Sequence, residues 1–518
     1  MNTNSRTTRL QRSVFALFML ILAGCATNPV TGKKELRLMS TAQEIQQGTQ
    51  YYAPMRQGQG GDLAVDPELQ AYVSAVGQRL AAVSDLDLPY EFTVLNSSVP
   101  NAWALPGGKI AINRGLLTEL RSEAELAAVL GHEVVHAAAS HSAQQMTRGA
   151  LLQGGMLATA IATRKKDNSN LWMMGANIGA QLINQRYGRG AELESDLYGM
   201  QYMKAAGYDP QGAVELQQTF VRLSQGRRTD FISGLFASHP PSTQRVAANR
   251  QTAVRLGAGG ERGIEQYQRA MRKTLAAKPA YDVYDEGRKA LSENKLDTAR
   301  SKGLQAIKLF PAEGHFYSLL GDVSLKRKNY DQASDYYTQA ISKNDNFFYY
   351  YLQRGLVAER EGLDQQAQSD LEASLKLLPT GPAYNALGNI ARRGNRLDEA
   401  KEYYRAASGA GGELGIEAEA SLLELDLSSN PGKYVQTRTG LGPRGFLVIQ
   451  VANATKVPMK QIGLTIQYID SDGRTRTLRR TLNGTLAGGK TSQIGTEIGP
   501  FTATNQYKVT VNNAAVAR

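Results

Sequence analysis

The 518-residue chain has one cysteine, five histidines and a single stretch apolar enough to concern a bilayer. One cysteine can close no disulfide within the chain and cannot build a multi-thiolate metal site. A mean hydropathy of −0.37, with 20% charged and 42% hydrophobic residues, excludes a polytopic membrane protein. No nucleic-acid-binding motif accompanies the net charge of +12, so the surplus is read as solubility and attraction to anionic surfaces. The length exceeds what one hydrophobic core supports and argues for about three folded units.

The apolar stretch stands at the N-terminus. Arg6, Arg9 and Arg12 precede it without an acid, Val14 to Ala23 form the run, and Leu22-Ala23-Gly24-Cys25 ends it. The run is too short to span a bilayer comfortably, and the order of parts is that of a lipoprotein signal peptide covering residues 1–24. Cys25 is then the lipidation site, and two or three acyl chains on it give stable anchoring. Loss of the three arginines takes the net charge from +12 to +9. Ala26 in place of Asp resembles Gram-negative outer-membrane lipoproteins, implying the periplasmic face of the outer membrane.

Behind the anchor, residues 25–65 read as a polar tether and one helix. Residues 66–272 carry helical pattern interrupted by one strand-like stretch, Tyr90 to Asn113, and hold all the chemistry. A repeat follows. Gly287, Gly321, Gly355 and Gly388 recur at spacings of 34, 34 and 33, and Ala299, Ala333, Ala367 and Ala400 recur in the same register. Small residues at a 34-residue period are the signature of tetratricopeptide (TPR) helix pairs, expected over residues 281–430. Stacked pairs leave a concave groove that binds protein segments, or an array that only props up its neighbours. Over residues 433–518 the period becomes alternating. Phe446–Val451, Leu464–Ile469 and Tyr507–Val511 read as strands, with Asp470-Ser-Asp-Gly473 as a hairpin turn. A small β-sandwich is expected.

The decisive residues are His132-Glu133-Val134-Val135-His136, inside a helical stretch from Ser122 to Met146. Histidines four apart share one helix face and can reach one metal ion, and Glu133 stands beside them to take a proton from water. Ser122 and Glu125 suit a capping box, and Ala127, Ala128 and Gly131 keep the metal-facing side open. His141, five residues after His136, falls on another face of a continuous helix and is assigned to structure. A catalytic zinc takes three protein ligands and keeps one position open, so the third comes from downstream. Glu192 and Asp196, four apart, supply carboxylates on one face of a predicted helix. One can bind metal while the other accepts the free N–H of a ligand histidine. Glu194 points away by about 160°, at about 100° per residue.

The pair HExxH and ExxxD resembles the gluzincin family of CAAX prenyl endopeptidases and heat-shock membrane proteases. Asn28-Pro-Val-Thr-Gly-Lys-Lys-Glu-Leu-Arg-Leu-Met-Ser40, Asn101-Ala-Trp-Ala-Leu-Pro-Gly-Gly108 and His239-Pro are similar to its motifs. The likeness covers Cys25 to about Arg250, and the repeats extend it towards the periplasmic β-barrel assembly-enhancing members. It implies zinc held by His132, His136 and Glu192, with Asp196 behind a ligand histidine. Gly188 departs from the Ser of many relatives, and the C-terminal β domain departs from the usual architecture.

Two further elements border the expected cleft. Asn101, Ala102, Trp103 and Ala104, followed by Gly-Gly and Lys109–Ile112, suit an exposed edge strand with which an extended substrate could pair, or else a buried structural strand. His239 sits in a Pro-fixed loop, placed to fill the open zinc position, to donate to the oxyanion, or to lie at the surface. Between the two metal motifs, Ala150–Ala162 and Leu171–Ile183 suggest a lid or helical hairpin, or ordinary core helices.

The sequence therefore predicts a multidomain α+β protein: a mainly α-helical zincin peptidase domain, an α-solenoid of TPR repeats and a small C-terminal β-sandwich. The expected function is zinc-dependent endoproteolysis of misfolded or stalled envelope and outer-membrane proteins, with one Zn²⁺ per chain and catalysis by Glu133. The repeat groove would bind clients or the outer-membrane assembly machinery. The competing expectation is a chaperone or assembly scaffold with a latent peptidase site.

Overall fold

A computed structural model describes residues 25–152, 187–226, 239–240, 242–257 and 259–517. The signal segment and all but the first residues of the expected lid lie outside this set. The chain divides into two compact units, one of residues 1–357 with 376–378, the other of residues 358–375 with 379–518.

The first unit opens with strands β1 (Cys25–Thr27) and β2 (Lys34–Leu36), paired antiparallel. The expected tether is thus a hairpin: Asn28 Oδ1 accepts the N–H of Val30 at 2.9 Å, bending the chain between the strands. Helix α1 (Thr41–Gly58) starts at a complete Ser40/Gln43 capping box, and α2 (Pro67–Ala81) at Asp66 with Pro67 in the first turn. Strands β3 (Glu91–Leu95), β4 (Ala102–Leu105) and β5 (Lys109–Asn113) form a sheet in the order β3-β5-β4, with β3 parallel and β4 antiparallel to β5. Gly107 and Gly108, at φ +77° and +83°, make the β4–β5 turn. A Cβ on Gly107 would stand 2.5 Å from the Ile45 Cα of α1, so the turn and the helix touch only because no side chain intervenes.

Helices α3 (Arg114–Leu117), α4 (Glu123–Ala138), α5 (His141–Leu152), α6 (Arg189–Ala205), α7 (Gln211–Gly226) and α8 (Thr243–Leu256) follow. Helix α4 is buried from Ala124 to Ala138, which its Ala-, Leu- and Val-rich surface allows on every side. It packs closely against α6. A Cβ on Gly199 would lie 3.0 Å from the His132 nitrogen, and one on Gly131 3.2 Å from the Gly199 oxygen. Two glycines therefore bring the backbones together at the level of His132, where any larger residue would overpack the contact at a cost of about 1–3 kcal/mol. Among the described residues no helix is long and apolar enough to cross a membrane.

Helix α9 (Ile264–Ser292) runs through the boundary expected between residues 272 and 281. Its Tyr267 and Met271 belong to the core around α4, whereas Ala277, Ala280 and Tyr281 pack with Ala306 and Phe316 of the next helices. The repeat pairs of this unit continue with α10 (Leu296–Leu309), α11 (Gly314–Lys326), α12 (Tyr330–Lys343) and α13 (Phe348–Arg360), whose last residues pass into the second unit. A Cβ on Gly321 would meet the Tyr337 ring at 2.6 Å, and Ala299 and Ala333 are fully buried. The 34-residue register thus marks where helices touch.

The second unit opens with α14 (Asp364–Leu377), and α15 (Gly381–Arg393) and α16 (Leu397–Ser408) repeat the device, Gly388 facing Tyr404. Helices α17 (Gly412–Asp426) and α18 (Pro431–Tyr434) lead into strands β6 (Val435–Leu441), β7 (Leu447–Asn453), β8 (Met459–Ile469), β9 (Thr475–Leu486), β10 (Thr491–Gly495) and β11 (Tyr507–Val516). They form two antiparallel sheets, β10-β7-β6 and β11-β8-β9. Alternate residues Leu447, Ile449 and Val451 of β7 and Ile462, Leu464 and Ile466 of β8 share one core with Leu423 of α17. The architecture is multidomain α+β, as expected.

Candidate metal centre

Helix α4 is fixed at its start by Ser122, whose side chain accepts the Glu125 N–H at 3.1 Å. The reciprocal half of the box is replaced: Glu125 accepts the backbone N–H of Arg121 at 2.9 Å instead. One turn apart on this helix, the Nε2 atoms of His132 and His136 approach to 3.0 Å. Glu192, in the first turn of α6, places Oε1 3.4 Å from His136 Nε2 and Oε2 3.6 Å from His132 Nε2. His239 Nδ1 lies 3.0 Å from Glu192 Oε1 and 3.3 Å from His132 Nε2. All four residues are buried, and their ligand atoms fall within 4.8 Å of one another.

This set fits a metal ion. Four ligands at about 2.0–2.1 Å around a tetrahedral zinc stand about 3.3 Å apart, and the separations here run from 3.0 to 3.6 Å. Two acceptor atoms are also left over. Among the described residues, buried Glu133 Oε2 and Glu192 Oε2 make no hydrogen bond. The latter lies only 2.7 Å from Arg245 Nη1, but as an ion pair without hydrogen-bond geometry.

Behind the cluster, Asp196 Oδ1 sits 3.0 Å from His132 Nδ1 and so holds that ring by its rear nitrogen. Asp196 is itself gripped by Arg245, with Nε and Nη2 each donating at 2.7 Å. Sequence reasoning missed Arg245. Ser242 caps α8 and sets Arg245 in its first turn, three residues beyond the His239 loop. Its need was legible, because Glu133, Glu192 and Asp196 are three acids on buried faces and require a counter-charge.

The electrostatics follow from burial. Burial raises the Glu133 carboxyl above its ordinary range, with His239 and His132 only partly offsetting it. Burial also pushes Glu192 upward, but His239 and His132 outweigh it and hold the carboxyl well below the usual value. Burial drives His136 well down, favouring the neutral imidazole a metal needs. For Arg245 burial opposes the charge, yet Asp196 and Glu192 keep the guanidinium ionised.

Other expectations meet a different outcome. Helix α4 ends at Ala138 and the chain turns through Ser140 at φ 55°, so His141 starts a new helix rather than continuing the old one. Its ring consequently reaches His136, Nδ1 to Nδ1, at 2.9 Å. Glu194 lies outside the convergent set and reaches His141 Nε2 at 3.2 Å. Strand β4 is an edge in the order of the sheet, but Asn101, Ala102, Trp103 and Ala104 are all buried, not exposed. Trp103 is held by Gln59 at 3.1 Å and by the edge of Tyr52, while Ala102 borders the cavity beside His132 and Glu133. That cavity measures about 20 Å³, room for about one water.

A helix carrying two histidines and a glutamate, closed by a carboxylate from a second helix, is the arrangement of a candidate metal centre in a metallopeptidase. The chain belongs to peptidase family M48, whose family model matches residues 67–253, and tetratricopeptide-repeat models match residues 284–347 and 381–410. It is 28% identical over 324 residues to a "Putative beta-barrel assembly-enhancing protease" of Vibrio cholerae, covering 59% of this chain and 62% of the relative. The Escherichia coli beta-barrel assembly-enhancing protease is 26% identical over 279 residues, 52% of this chain and 55% of its own. Metalloprotease YcaL of Escherichia coli is 30% identical over 182 residues, 33% of this chain and 68% of its own. The chain spans between 55% and 62% of the length of the assembly-enhancing proteases it matches.

Proposed function

We propose that the protein is a zinc-dependent endopeptidase of unfolded or stalled envelope proteins, bound through the repeats and anchored by acyl chains on Cys25 at the periplasmic face of the outer membrane. The observation that carries the reading is the convergence of His132, His136, Glu192 and His239 on one point beside a carboxylate, Glu133, that has a buried and unshared oxygen.

In this reading His132, His136 and Glu192 hold one zinc. When bound, it supplies Lewis acidity towards the substrate carbonyl and water. Glu133 takes the proton from the attacking water and hands it to the leaving amine, and burial gives it the raised proton affinity that the task needs. Asp196 fixes the tautomer and orientation of His132. Arg245 pairs with both Glu192 and Asp196 and holds the Asp196 carboxyl ionised against burial. The names of the relatives that match 52–59% of this chain support a role around β-barrel assembly.

The direct test is cleavage of a purified, urea-unfolded outer-membrane β-barrel protein. Cleavage is expected to stop on chelation and return with stoichiometric zinc but not with magnesium. Chelator-insensitive cleavage, or none under any metal, would refute the reading.

One observation favours the second reading, a scaffold with a latent site. His239 occupies the fourth corner of the cluster, and the adjoining cavity has room for about one water. His239→Ala is accordingly expected to raise basal cleavage several-fold by freeing the fourth position. A fall in kcat with zinc retained would instead make His239 an oxyanion donor. A variant identical to wild type would remove it from the site.

A further inference from the structure

His132 and His136 are backed differently. His132 has a carboxylate directly behind it, Asp196 at 3.0 Å. His136 has an imidazole, with His141 Nδ1 2.9 Å from its own Nδ1. Two ring nitrogens at that distance must share one proton, and the metal reading decides where it sits. With Nε2 of His136 presenting its lone pair to the cluster, the neutral ring carries its proton on Nδ1 and donates. His141 Nδ1 then accepts, so the His141 proton is on Nε2, and that nitrogen faces Glu194 Oε1 at 3.2 Å. Ser195 Oγ, at 3.4 Å, is the other group against His141 Nδ1. Every donor in the chain thus meets an acceptor, with one tautomer at each ring.

The chain continues outward. Glu194 Oε1 also accepts from Asn28 Nδ2 at 3.3 Å, and Asn28 is buried in the hairpin that begins at Cys25. The same hairpin is clamped to the turn carrying His141, since the Arg37 guanidinium donates to Ser140 Oγ at 2.6 Å and Leu38 N–H to Thr147 Oγ1 at 3.1 Å. Ser140, at φ 55°, is the bend that swings His141 behind His136. The Asn28-Pro-Val-Thr-Gly segment, which the catalytic reading leaves unused, is therefore built onto the rear of a metal ligand.

We propose that His141 and Glu194 are positioning residues for His136, forming a carboxylate–imidazole–imidazole relay whose outer end is held by Asn28. A carboxylate one ring removed does for His136 what Asp196 does directly for His132. It fixes the tautomer, aims the ring and raises its basicity towards a cation. The inference rests on His136 being a metal ligand.

Zinc affinity of the full-length protein, measured by competition with a chromophoric chelator, tests it without any substrate. Both Glu194→Gln and His141→Ala are expected to weaken zinc by about 10- to 100-fold. His141→Gln, whose amide can accept from His136 and donate to Glu194, should recover most of the loss. Because the two residues act in series, the double variant should bind zinc no more weakly than His141→Ala alone. Thermal melts of the apo forms accompany the titration. Melting points lowered with zinc affinity unchanged would make His141 and Glu194 merely structural and overturn the relay, and additive losses in the double variant would overturn the series arrangement. Should Glu194→Gln alone fold, its affinity decides the question by itself. A wild type that takes up no zinc would refute the metal centre itself, and the relay with it.

Discussion

Glu133→Gln is expected to keep its fold and its zinc and to lose cleavage by about 10²–10⁴-fold, the range of a positioned general base. The substitution is nearly isosteric, and Glu133 is not among the residues whose atoms converge on the metal point. What it removes is proton affinity. The carboxyl is 2% exposed, raised by burial, and has one oxygen free of hydrogen bonds. The nearest cluster nitrogen to the other oxygen, His239 Nε2, is 3.6 Å away. An amide there can still hold water but cannot take its proton, so kcat should fall while chelator titration reads the wild-type affinity. Near-normal turnover of a peptide would remove Glu133 from the chemistry.

Glu192→Gln is expected to empty the site. The change takes the only carboxylate out of the convergent set and leaves the imidazoles of His132, His136 and His239 beside the Arg245 guanidinium. A cation entering that site would find no negative ligand in the convergent set, in a setting too buried for solvent to screen. The loss should exceed the about 10- to 100-fold that follows removal of an outer partner, taking the zinc content of dialysed protein from one per chain towards zero. Elemental analysis is the measurement. Undiminished zinc in Glu192→Gln would show that another carboxylate holds the metal.

The parts legible in the sequence share a cause: each is a short-range spacing that a helix converts into geometry. Four residues place His136 over His132, and four place Asp196 over Glu192, whatever the rest of the chain does. The repeats were visible for a related reason, since only Gly and Ala fit where Gly321 meets Tyr337 and where Ala299 and Ala333 are sealed. What escaped has no local mark. The run Ala137-Ala-Ala-Ser140 reads as helix, and nothing in it announces that a serine will take a left-handed turn and bring His141 back towards His136. Arg245 and Asn28 reach the site across 49 and 166 residues of sequence, which no window reveals. Strand β9 went unread because Thr475–Leu486 is exposed over most of its length and so lacks the alternation that betrays a strand.

Helix α9 also dictates how the molecule comes apart. Its Tyr267 hydroxyl donates to the Leu117 carbonyl at 2.6 Å and Thr274 to Asp66 at 2.8 Å, while two turns later Tyr281 serves the core of the first repeat. A single rod thus contributes side chains to two hydrophobic interiors. Neither interior can dissolve without stripping the other of part of its wall, so peptidase domain and leading repeats should lose order as one cooperative block. A truncation at residue 272 would cut the rod rather than a linker, leaving the peptidase open along the seam where Thr274 meets Asp66.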